Sequence, residues 1–376
     1  MRAWIALTAL GLAGCYGDGG TSLGKNHTCT LVEDGVACWG WNARGQAGAG
    51  SAASQPSPAL VLVGGLESAT QVVMGGEFSC AIVAGGEVRC WGDNALRQVR
   101  DTPSESAVRS PVGRGITDAV HIALGATHGC AALSTGRVAC WGSNEAGQAG
   151  AALTESVRVT EVENVTDALQ VAAGRDHSCA LRATGEVMCW GSDVLGQLGD
   201  GAPSTASSEQ TDDGTTPAVN TDHAVTVSGL SGATWITAGD QMSCAVASGS
   251  VLCWGGNGHG ELRDREAGSA APVAVSVGAV EVQAGEGFVC ARTEGGKVSC
   301  WGWNAWGQAG QGSTEEVLPP REIGLDDVTR LMVGGAHACA ATTAGEVYCW
   351  GDNSLHALGD GTTQSRTSPT RVNGLP

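Results

Sequence analysis

Two lysines, two phenylalanines and two tyrosines are all that 376 residues contain, and each scarcity excludes something. With only Lys25 and Lys297 and no basic run, the chain has no means of neutralising a phosphate backbone. A formal net charge of −18 points the same way, so no nucleic acid partner is expected. The acidity favours solubility and suits cationic partners. No apolar run is long enough to cross a bilayer. No CxxC occurs, the usual spacing of structural zinc. HExxH, a nucleophile elbow and a phosphate loop are also missing. GQAGAG (45–50) lacks a following Lys-Ser/Thr, and Asp200-Gly201 and Asp212-Asp213-Gly214 lack the alternating ligands of a calcium loop. No cofactor, metal or catalytic residue is therefore assigned.

What the chain has instead is glycine, cysteine and tryptophan: 59, 15 and 12 residues. Glycine at this level without a collagen period means many tight turns between short strands. Trp-Gly recurs at Trp39, Trp91, Trp141, Trp190, Trp254, Trp301 and Trp350, at intervals of 52, 50, 49, 64, 47 and 49 residues. A period near fifty over most of the chain demands a repeat architecture. Each unit holds four short runs. The first is apolar and ends in Gly, as in LQVAAG (169–174), and the second begins at a cysteine. The third ends in Cys-Trp-Gly, and the fourth follows a loop such as GWNAWGQAGQG (302–312). Four short antiparallel strands per unit make one propeller blade, so the fold class is all-β.

The cysteines fix the register. With Cys179 opposite Cys189, Leu181 meets Val187 and the turn falls near Ala183-Thr184-Gly185. Where the spacing is nine rather than ten, the turn shortens to Glu33-Asp34 or Ser248-Gly249, still a normal hairpin. Directly opposed residues have Cα atoms about 4.5–5.5 Å apart, within disulfide reach. The expected bridges are Cys29–Cys38, Cys80–Cys90, Cys130–Cys140, Cys179–Cys189, Cys244–Cys253, Cys290–Cys300 and Cys339–Cys349, which require an oxidising compartment. Val36, Val88, Val138, Val187, Val251, Val298 and Val347 each share a sheet face with the second cysteine. Ala follows the first cysteine in six units and Thr30 in one, which keeps the other face small for close sheet packing.

The fifteenth cysteine is Cys15. MRAWIALTALGLAGC has Arg2, then an apolar stretch from Ala3 to Ala13, as in an export signal. Its end, Leu12-Ala13-Gly14-Cys15, resembles the bacterial lipobox, which implies lipidation of Cys15. Residues 1–14 then form a lipoprotein signal peptide and 15–20 a short lipidated tether. Lipidation also leaves an even fourteen cysteines. The alternative is ordinary secretory cleavage near Ala13. More than one acyl chain would anchor the protein stably. The expected location is the bacterial cell envelope, at the outer membrane or cell surface rather than the inner membrane.

Residues 174–199 carry Gly174, His177, Ser178, Ala180, Leu181, Gly185, Val187, Trp190, Gly191, Gly196, Gln197, Leu198 and Gly199, with Asp193 where Asn is usual. This pattern resembles the repeat of the regulator of chromosome condensation family, over about residues 21–376. The resemblance implies a closed seven-bladed β-propeller with blades near 21–66, 67–117, 118–166, 167–230, 231–278, 279–325 and 326–376. The family's founding members are nuclear exchange factors for a small GTPase that also bind chromatin. Export and acidity oppose that role here. One exported relative resembles a protein inhibitor of β-lactamases.

Function is sought where the units differ. The position two before the first cysteine holds His27, Phe78, His128, His177, Met242, Phe288 and His337. Phe and Met in the same slot mark it as packing rather than a metal or acid–base site. The turn before it carries Lys25, Glu77, Arg175, Asp176, Asp240 and Glu286, expected on one face near the axis as a solvated rim or a cation-binding surface. Trp41 and Trp303 fill a position that is Asp93, Ser143, Ser192, Gly256 or Asp352 elsewhere, and Trp306 stands where other blades have Arg44, Ala146 or His259. These three tryptophans are the candidate binding patch, with packing beneath the loops as the alternative. The fourth blade has a polar insertion within 199–222. The expected function is a monomeric module binding a protein or glycan. A polysaccharide hydrolase or lyase acting at the central depression, and an exchange-factor-like regulator, are the alternatives.

Overall fold

The computed structural model describes residues 24, 26–50, 56–202, 220–263 and 268–372. Among them are 27 strands and no helix, gathered into seven antiparallel sheets. Six sheets have four strands and one has three. The chain is a seven-bladed propeller. Each sheet is built from consecutive strands, as in Ala168–Ala173, His177–Arg182, Val187–Ser192 and Asn220–Thr226 of blade 4. Residues 21–23, at the start of the expected first blade, lie outside the described residues. So do Cys15, Lys25 and residues 203–219 of the blade 4 insertion.

The register is the one that the cysteine spacing dictates. Cys179 pairs with Cys189 and Leu181 with Val187. The shorter hairpins turn at 33–34 and 248–249, between Val32↔Gly35 and Ala247↔Ser250. Seven disulfides join the opposed cysteines, with Cα atoms 4.0–4.1 Å apart. Their burial is close to complete, because the cysteine face of one blade packs on the alanine and tryptophan face of the next. Cys130, Val138 and Cys140 of blade 3 share an apolar cluster with Ala180 and Trp190 of blade 4. The alanines after the first cysteines keep the gap between sheets narrow.

The ring closes by packing, and among the described residues each sheet holds the strands of one blade only. Met332, Cys339, Val347 and Leu358 of blade 7 share one cluster with Cys29, Cys38 and Val63 of blade 1. Glycines at the inner turns permit the tight centre. A Cβ on Gly174 would meet both the Gly239 carbonyl oxygen and the His177 ring. No helix among the described residues is long and apolar enough to cross a membrane.

Candidate functional site

In a four-stranded antiparallel blade, the first and third connections lie at one end and the second at the other. The first connections (the inner turns) and the long third loops therefore share one face of the ring, called here the loop face. One bond repeated seven times ties them together. The N–H after each Trp-Gly donates to an inner-turn carbonyl: Trp41 to Asn26, Asp93 to Glu77, Ser143 to Thr127, Ser192 to Asp176, Gly256 to Gln241, Trp303 to Gly287 and Asp352 to Ala336. The variable slot thus stands beside the axial rim.

Within each loop, an Asn or Asp side chain accepts the N–H five residues on, from Ala47→Asn42 to Leu358→Asn353. Asp193 makes the same bond as the asparagines do, and burial pushes its carboxyl up to about 6. In six blades the loop Gln, or Glu261, accepts an N–H two residues back. That residue's own carbonyl then receives the indole N–H of the next blade's repeat Trp at 2.8–3.0 Å, as in Trp190→Gln148 and Trp254→Gln197; Ala357 does so for Trp39. The repeat Trp, Asn and Gln are frame.

The histidine slot is also frame, but it is more than packing. Ser178 Oγ donates to the Gln148 carbonyl (2.9 Å), so its lone pair accepts Nε2–H of His128 (2.8 Å). The same chain links His27 to Ser79, His177 to Ser243 and His337 to Thr28, always one blade onward. Where the slot is Phe78, Met242 or Phe288, the next blade presents Gly129, Val289 or Ala338 at the matching position instead. A hydroxyl answers each histidine, and an apolar residue answers each apolar one. Removing a buried partner leaves a donor unmet at about 1–3 kcal/mol. Ser178→Ala is expected to cost that much in urea unfolding, and the pair His128→Phe/Ser178→Ala to recover most of it. A double variant as unstable as the sum of the singles would refute the matching.

The axial channel, about 400 Å³, is lined by the inner strands. Sequence reading took these runs as apolar and missed a ring of polar and aromatic residues at one equivalent position: Gln71, His121, Gln170, Trp235, Glu281 and Arg330. The detectable signal was a large polar or aromatic residue at one fixed place in each run, three before the Met, Leu, Ala or Val that closes the strand. The inner strand is a sheet edge, and Gln71 pairs both the N–H and C=O of Ile122 as another strand would. Gln170 does the same for Ile236, Trp235 donates to the Val282 carbonyl, and Glu281 accepts from Leu331 N–H. Glu281 is also paired with Arg292 at 2.6 Å, and burial raises its carboxyl. These residues lace the blades together.

At the channel mouth stand Arg175, Asp240 and Glu286. Arg175 pairs with Asp176 and Asp240, and Arg44 with Glu77 and Asp93. Burial raises the Asp176 carboxyl. The rim predicted from the turn residues is therefore real, acidic and partly neutralised by two arginines.

The candidate tryptophans all lie on this face. Trp303 stacks on His259 of blade 5, centroids 5.4 Å apart, over Gly287, where a Cβ would strike the imidazole. Trp306 is 48% exposed. Trp41, on blade 1, makes no ring contact with either among the described residues. The slot's usual partner reveals more. Gln98 Nε2 donates to Asp93 and Gln148 Nε2 to Ser143. Where Trp41 and Trp303 fill the slot, the buried amide nitrogens of Gln46 and Gln308 have no partner. Each such orphan costs about 1–3 kcal/mol.

Comparison with known proteins agrees with this geometry. Two models of the regulator of chromosome condensation (RCC1) repeat match residues 69–98, 119–148, 169–197, 279–308 and 329–356, and 33–82, 135–181 and 344–376. Among solved structures, Prp20p of Saccharomyces cerevisiae, studied for binding to Gsp1p and histones, has TM-score 0.74 and 19% identity. That alignment covers 92% of this chain and 87% of Prp20p. Human WBSCR16 gives TM-score 0.76 and 20% identity over 89% of this chain and 93% of its own. The ectodomain of the Arabidopsis thaliana receptor kinase ACR4 is more distant, at TM-score 0.51 and 17% identity over 94% and 98%. At these identities the structures speak for the fold alone. With its repeats matched along more than half its length, the chain belongs to the regulator of chromosome condensation repeat family.

Proposed function

We propose that the protein is an exported interaction module, held at a bacterial membrane by acylated Cys15, that binds a protein or glycan on its loop face. The observation that carries this reading is the division of labour among the residues. The histidines, repeat tryptophans and channel side chains are committed to joining blades, while Trp306 stands exposed on a loop. An enzyme acting at the central depression would want a converging pair of carboxylates there. Deep in the channel, Glu281 is tied to Arg292 and the Leu331 N–H. An exchange-factor role belongs to a reducing compartment, whereas seven disulfides belong to an oxidising one.

The test uses the full chain in a bacterial host. Labelled fatty acid is expected to enter the wild type and not Cys15→Ser, and only the wild type should pellet with membranes. Affinity capture from those membranes should then yield a partner that Trp306→Ala retains poorly. Acylation absent from the wild type would refute the anchor, and capture indifferent to the loop face would refute the site.

A further inference from the structure

We infer that Trp41, Trp303 and Trp306 grip a lysine- or arginine-bearing segment of a partner protein, laid on the loop face across blades 6, 7 and 1. This rests on the interaction-module reading and names the partner's chemistry.

The first support is the pair of orphaned amides. Blades 2 and 3 fill the slot beside the rim with Asp93 and Ser143, which satisfy Gln98 and Gln148. Blades 1 and 6 fill it with tryptophan and leave Gln46 and Gln308, both 0% exposed, without an acceptor at Nε2. The bond that two blades make is missing in two others, both times where the same large aromatic fills the slot. Local rules are broken at functional sites.

The second support is presentation. Trp303 is fixed by His259 on one side, and Trp306 follows three residues later, nearly half exposed, with its N–H held by Gln308. An indole already stacked and a second one standing free give rigid apolar area at little entropic cost.

Charge decides the occupant. The described inner turns and slots of this face carry Glu77, Asp93, Asp176, Asp240, Glu286 and Asp352 against Arg175, and the long loops add further acids beside Arg44, Arg97, Arg100 and Arg263. Arg44 and Arg175 are already engaged by neighbouring acids. Indole faces and carboxylates together attract ammonium and guanidinium groups. A neutral glycan would use the indoles and ignore the charge.

The test measures binding of the intact protein to three probes: an Arg-Gly repeat peptide, its Glu-Gly counterpart and a neutral β-glucan hexasaccharide. The Arg-Gly peptide should bind, and weaken as salt rises. Trp303→Ser and Trp306→Ala should each weaken it by about fivefold, the size of a cation–π contact. Glu163→Gln, an exposed acid at the other end of the blades, should leave it unchanged. Because serine restores an acceptor for the orphaned amide, Trp41→Ser and Trp303→Ser should hold or raise Tm, by about 1–2 °C. Tm falling by several degrees in both variants would make these tryptophans packing and overturn the proposal. So would peptide binding that responds to salt and not to the tryptophans, or no peptide binding at all. Glucan binding lost with the same tryptophans would keep the module reading and overturn the cationic partner.

Discussion

Stability is expected to fall steeply as the pH is lowered from 6.5 towards 4. Four fully buried imidazoles and the half-buried His121, which lines the channel, drive this. Burial lowers His27 and His128 to about 3 and His121, His177 and His337 to about 4, with His337 adding to the effect on His27 and His177 to that on His128. In the unfolded chain each titrates near its ordinary value of 6.5. Below that pH the unfolded chain takes up protons that the native ring refuses. The contribution of each neutral histidine is therefore complete above about 6.5 and shrinks by about 1.4 kcal/mol per pH unit until the folded value is reached. Carboxylates with raised values act in the opposite sense and offset part of the loss. Asp193, at about 6, binds its proton in the native state first, and Asp176, Glu261 and Glu281 are also raised by burial. Urea unfolding at pH 7.5, 6.0, 5.0 and 4.5 measures the balance. His128→Phe/Ser178→Ala should flatten the slope by close to one proton. Equal stability at pH 7.5 and 5.0 would contradict the assignment of neutral, buried rings.

Reduction should have the other large effect. Each disulfide closes a loop with a sequence separation of 9 or 10. In the chain-entropy model such a loop contributes roughly 2–3 kcal/mol, so loss of all seven exceeds the whole stability of an ordinary domain. The cysteines are at most 1% exposed. The native ring should therefore resist millimolar thiol reagent, then fail to refold once denatured and reduced. Thiol counting in the unreduced, denatured mature protein checks the pairing directly. None of the fourteen repeat cysteines should react, and seven or more free thiols would sink the scheme.

How far the sequence disclosed all this depends on the range of the interaction. Within a blade the cysteine pairs set the register, because opposed residues on a short hairpin leave one alignment. Between blades the information is present but must be read across units. His128 taken alone looks like packing; set beside Ser178, fifty residues on, it becomes half of a hydrogen-bonded pair. The loop carbonyl that receives each indole N–H is invisible in any spacing, since backbone atoms carry no residue signature. Gln71 and Gln170 went unnoticed because a single amide in an apolar run resembles an exposed strand position. Their role appears only when the neighbouring strand edge is in place. The tryptophans were legible as departures from the repeat. Their cost was not, because it falls on Gln46 and Gln308, five residues further along the chain.

The matched seams between blades have a consequence for assembly. Reading round the ring, the joints run polar, apolar, polar, polar, apolar, apolar, polar, beginning at His27–Ser79 and ending at His337–Thr28. Identical tiles would fit in any order, whereas these behave as keyed ones. Exchanging blades 2 and 4 would set His177 against Gly129 and Phe78 against Ser243. The seams thus add a second, coarser constraint on blade order to that of the covalent chain. A fragment docking on the wrong neighbour during folding meets a lock cut for a different key.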